Sequence, residues 1–150
     1  MKRDEIINVL QNLAKSWFSS SQQNAIHAEI YRDKGLNKLA DKFQEEAAEE
    51  FEEAQKAIKR IIELDGTPIM SFENLPLYTN IEDYLRDLYK EAENGVKELS
   101  EIASKITDDY TTKNLIQGFI LEEKEHLDWV RHDIKLIELI GLENYILEQL

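Results

Sequence analysis

Apolar residues return along this chain every three or four positions, the interval that gives an α-helix one apolar face. Ile6, Val9, Leu10, Leu13, Trp17, Ala28 and Tyr31 share such a face and predict a first helix from Asp4 to Asp33, stopped at Gly35. Leu39, Phe43, Ala47, Ala54, Ile58 and Ile61 predict a second from Leu36 to Leu64, ended by Asp65-Gly66-Thr67-Pro68 with Gly66 as C-cap. Ile69 to Asn80 has no clear period and contains Pro76. It is long for a helix–helix link and suits a crossover from one end of a bundle to the other. A third helix opens near Thr79-Asn80, with Glu82 and Asp83 in its first turn. Leu85, Leu88, Tyr89, Ala92, Val96, Leu99, Ala103 and Ile106 form its stripe. Thr107 or Asp108 caps a fourth, which runs to Ile140 before Gly141. Leu142 to Leu150 reads as a short fifth helix, more often an assembly contact than a catalytic part. The pattern predicts one all-α domain over residues 1–150.

Acidic residues break the apolar pattern in two segments. Glu50 stands on the seam of the second helix between Ala47 and Ala54, and Glu53 follows one turn later. In the fourth helix Ile116, Phe119, Ile120, Leu127, Val130 and Ile134 are the stripe, and Glu123 takes a slot where another Leu would continue it. His126 follows by one turn and projects from the same side. A buried carboxylate is costly unless it is paired, protonated or bound to a cation. Glu-x-x-His lets one helix offer an oxygen and an imidazole nitrogen to a single metal. Alone, such a pair is weak evidence, because most are solvated or capping; the same anomaly in two segments points to a metal. The Glu45, Glu49 and Glu52 row reads as a solvated face. Ser20, Ser21, Asn24 and His27 put polar groups at turns of the first helix where apolar residues are expected. A wet or inter-subunit face is the simpler account of them than a ligand-bearing turn.

Charge narrows the choice of partner. With 31 acidic and 18 basic residues the formal charge is −13, which disfavours nucleic acid and anionic lipid and suits attraction of cations. Solubility alone would also account for it. No apolar run is long enough to span a membrane, and the N-terminus reads straight into an amphipathic helix rather than a signal peptide. Together with the lack of Cys this predicts a reducing, cytoplasmic location. Without Cys there is no thiolate to hold iron or zinc. No Gly-rich phosphate loop, nucleophile elbow or basic aromatic surface is present. Acid–base or metal chemistry through carboxylates is what remains.

Four long helices, a crossover, a short fifth helix and paired core carboxylates together resemble bacterioferritin. The likeness runs over essentially the whole chain, through MKRDEIINVL, DKGLNKLADKF, ELDGTP, EEKEHLDW and GLENY, the last two being the most specific. It implies a ferritin-like four-helix bundle with a long crossover between the second and third helices. It also implies an iron-storage subunit of a closed homo-oligomeric shell, with no nucleic-acid or membrane partner. In that family two irons lie between the helices, held by one Glu from the first, Glu-x-x-His from the second, one Glu from the third and Glu-x-x-His from the fourth. Glu123 and His126 match in full, Glu50 matches, and Glu53 stands where a His belongs. Trp17 and Ala92 stand where the other carboxylates belong. The resemblance therefore implies one or two irons per subunit held by Glu50, Glu53, Glu123 and His126, with Fe(II) oxidation if the site turns over. Haem is not expected, since the Met that ligates it in the family is Phe51 here. The alternative is a shell-forming protein with a degenerate, non-catalytic metal site, co-assembling with an active subunit.

Overall fold

A computed structural model describes residues 1–150. Its helices are α1 (Arg3–Asp33), α2 (Asn37–Glu63), α3 (Ile81–Lys105), α4 (Tyr110–Ile140) and α5 (Leu142–Leu147). They fall into two compact units, Met1–Leu77 with Gln149–Leu150, and Tyr78–Glu148. No helix is long and apolar enough to cross a membrane.

In the first unit α1 and α2 form a hairpin. The chain leaves α1 through Gly35 at φ 79, a left-handed conformation that costs glycine nothing. There the Leu36 N–H donates to the Tyr31 carbonyl at 2.9 Å, satisfying one of the helix's last acceptors. Leu10, Leu39, Phe43, Ala54, Ala57 and Ile61 are buried in the seam, and the Tyr31 and Phe43 rings pack at 5.5 Å between centroids. Each large side chain so buried contributes about 1.5–3 kcal/mol. The end of α2 differs from expectation. Asp65, not Gly66, takes the left-handed conformation, at φ 59. Gly66 is required for space instead, because a Cβ there would lie 2.9 Å from Ile61 Cγ2 and 3.1 Å from the Ile61 carbonyl oxygen.

The polar centre of α1 also departs from the wet face expected of it. Ser21, Asn24 and His27 are buried, as are Ser19 and Gln23, and Ser20 is half-buried. Ser21 Oγ donates to the Ala47 carbonyl of α2 at 2.6 Å, and Asn24 donates to the Glu50 carboxylate. Others grip the connection that follows α2. Gln23 Nε2 donates to the Pro76 carbonyl at 2.7 Å, Gln11 Nε2 to that of Thr67 at 3.1 Å, and the Glu73 N–H to Ser19 Oγ at 2.7 Å. Backbone groups and one carboxylate of the same chain satisfy these side chains, which is how buried polar groups escape their desolvation cost. The exception is the Tyr31 hydroxyl, which is buried without a hydrogen-bond partner. Burial pushes that phenol above its usual pKa of 10.0.

In the second unit α3 begins where Asn80 Oδ1 accepts the Glu82 N–H at 2.8 Å, the expected cap. Tyr84, Leu85, Leu88, Ala92, Leu99 and Ala103 are its buried face, with Tyr89 and Val96 only half-buried. Tyr78 stacks on Tyr84 at 5.1 Å. The cap of α4 is Asp109 rather than Thr107 or Asp108, its Oδ1 accepting the Thr112 N–H at 2.9 Å. The shift has a cause in Ile106, which is extended (φ −93, ψ 107) and buried, so the chain must leave the core before it can turn again. α5 is shorter than its sequence pattern. Buried Tyr145 fastens it, its hydroxyl donating to Asp133 Oδ2 on α4 at 2.7 Å.

Candidate metal centre

Two helices carry the four candidate ligands, a pair in each unit. On α2, Glu53 is buried and Glu50 is half-buried. The helical pitch sets the order: Glu53, three residues on, shares its side of α2 with Ala54 and Ala57, all buried. Glu50 takes the amide of Asn24, a hydrogen bond to a charged acceptor and so about twice as strong as a neutral one. A further acid, Glu46, is buried on α2 and pairs with Lys42 Nζ at 3.2 Å. Sequence reasoning passed over it, although a Lys four residues earlier is a legible sign of a helical ion pair.

On α4, Glu123 and His126 are half-buried and one turn apart. A Cβ added at Gly95 of α3 would come within 3.2 Å of Glu123 Oε1, so the carboxylate lies against the glycine. The Trp129 indole N–H donates to His126 Nδ1 at 3.2 Å, with the two rings nearly perpendicular at 80°. An indole nitrogen can only donate, so in this state His126 Nδ1 carries the lone pair and Nε2 the proton. His27 is the reverse case. Its Nδ1 lies 2.8 Å from the Gln23 carbonyl oxygen, which only accepts, and the proton therefore sits on Nδ1. Neither the Gly95 nor the Trp129 contact is legible in the apolar pattern.

Each pair offers its two groups from one side of one helix, about 5–6 Å apart at Cβ. In neither unit do three or more acidic or histidine side chains gather into a metal-sized cluster. Trp17 and Ala92 are both buried, at 7% and 1% exposure, and bring no oxygen to the core. The donors available are carboxylates and one imidazole, which suit a hard or borderline divalent ion.

This helix order, with a long link between α2 and α3 and an acid–histidine pair on α4, defines a class, and comparison bears it out. The model of the ferritin-like domain matches residues 7–140, and the chain belongs to that family and has its all-α, four-helix fold with a short fifth helix. Among its relatives, the bacterial ferritin of Neisseria meningitidis serogroup B is 31% identical over 153 residues, covering 97% of this chain and 96% of that one. The bacterioferritin of Brucella melitensis is 34% identical over 124 residues, covering 80% and 76%. The bacterial ferritin of Pseudomonas aeruginosa is 28% identical and covers 97% of each chain.

Proposed function

We propose that this chain is a bacterioferritin-like iron-storage and iron-handling subunit, working as one domain and assembling with copies of itself into a closed cytoplasmic shell. The observation that carries the proposal is the Glu123–His126 pair, half-buried on α4 in a chain of the ferritin-like family. Ferrous iron is the substrate, and Glu50, Glu53, Glu123 and His126 are its ligands. Three carboxylates favour the more highly charged ferric product over the ferrous ion, so the site makes loss of one electron to dioxygen or peroxide easier. The exposed Glu45, Glu49 and Glu52 row gives the product further oxygens to bind. The test is anaerobic ferrous titration followed by admission of oxygen. Saturable binding that disappears in Glu123→Ala/His126→Ala, with oxidation faster than that of free iron, is expected. Unchanged binding in the double variant refutes the assignment.

A second reading has its own support in buried Trp17 and Ala92, which supply no ligand where the family has carboxylates. Under it the site holds a single structural ion and the subunit co-assembles with an active relative. One metal per chain, with oxidation no faster than in buffer, selects this reading; about two irons per chain rules it out.

A further inference from the structure

Gly95 lies in the interior of α3, where glycine is a poorer helix former than alanine. Its backbone does not ask for glycine, since only Gly35 and Gly141 among the glycines have positive φ. What asks for it is space. A Cβ built there meets Glu123 first: Oε1 at 3.2 Å, Cδ at 3.3 Å and Cγ at 3.3 Å are the three nearest atoms. Gly118, on α4, is a useful contrast, because a Cβ there meets nothing within 4 Å and its glycine guards no neighbour. The gap at Gly95 is filled by a carboxylate from the opposing helix.

We infer that Gly95 is a positioning residue, whose missing side chain seats Glu123 against α3 and fixes where its carboxylate can reach. The inference deepens the proposed function and rests on Glu123 being an iron ligand. Contacts of 3.2–3.3 Å are tighter than ordinary van der Waals distance, so a methyl group at position 95 makes Glu123 give way by a few tenths of an ångström. Glu123 is half-buried and joined to its helix by a flexible side chain. The substitution thus strengthens the helix while it dislodges the ligand. A glycine needed only for packing would weaken fold and site together.

The test is a double-mutant cycle on metal-free protein with a binding measurement beside it. Thermal unfolding is followed for the unmodified chain, Gly95→Ala, Glu123→Ala and the double variant, and cobalt(II) alone serves as the redox-stable probe. Gly95→Ala is expected to raise Tm more in the Glu123→Ala background than with Glu123 present, and to weaken cobalt binding about tenfold. Equal Tm changes in the two backgrounds overturn the inference. So does cobalt binding that is measurable in the unmodified chain and unaltered by Gly95→Ala. If Gly95→Ala fails to fold, rescue by Glu123→Ala supports the seat and lack of rescue overturns it. A Tm coupling in a protein that never binds cobalt leaves the seat standing and refutes the metal assignment instead, so the two failures are separable.

Discussion

The α1–α2 hairpin and the α3–α4 pair solve the same packing problem by different chemistry. Ser19, Ser21, Gln23, Asn24, His27, Glu46 and Glu53 are buried in the first, whereas Thr112 is the one buried polar residue of the second. The α3–α4 pair therefore depends on apolar area and on the caps at Asn80 and Asp109. The hairpin adds directional polar contacts, which specify register because they need donors and acceptors at matching positions. Oily seams tolerate substitution by similar volumes; contacts of this kind do not.

Three substitutions sharpen the contrast, largest effect first. Leu85→Ala removes a fully buried side chain from α3 and is expected to cost about 3 kcal/mol in urea unfolding. A cost below about 1 kcal/mol would mean that this seam relaxes into the cavity. Asn24→Ala should cost about 2 kcal/mol, since it deletes a charge-assisted bond from the hairpin's interior. If Asn24→Leu is instead neutral, that bond contributes nothing that packing cannot replace. Tyr31→Phe is the smallest at pH 7, neutral or slightly stabilising, because the hydroxyl it deletes is buried without a partner. Its signature lies at alkaline pH. Burial raises the folded-state pKa above 10.0, so the native state holds its proton more tightly than the unfolded chain. Stability is then intact below about pH 10 and falls as pH rises toward the folded value. Tyr31→Phe should flatten that fall, as read from unfolding midpoints at pH 9 to 11.

The helices were legible in the sequence because their apolar periods are long and end at recognisable stops, Gly35, Asp65-Gly66-Thr67-Pro68 and Gly141 among them. Their ends were less so. Of Thr79 and Asn80 the structure uses Asn80, but for α4 the sequence points to Thr107 or Asp108 and the cap is Asp109, beyond the buried, extended Ile106. The acids of the candidate site were visible as breaks in a stripe. How deeply each is buried was not: Glu50 and Glu123, placed on the seams, are half-buried while Glu46 and Glu53 are buried, because a period alone does not fix the edges of an apolar arc. Tyr84 is buried completely although it stands outside the stripe predicted for α3, and Tyr89, inside it, is half-buried. Contacts between helices, such as Asn24 with Glu50 or Glu123 with Gly95, have no sequence signature at all. They appear only once two separate stretches face each other.

The link between α2 and α3 is held largely by its main chain, with one side-chain bond beside it, Ser16 Oγ to Glu73 Oε1 at 3.3 Å. Gln11 and Gln23 reach the carbonyls of Thr67 and Pro76, and Ser19 takes the N–H of Glu73. Ile69, Met70 and Phe72, by contrast, are left in the open. Because peptide groups are common to nearly every residue, these three bonds ignore the identity of what they hold. Descendants of this gene are then free to rewrite the exposed positions of that strand of text, provided the three readers on α1 are kept.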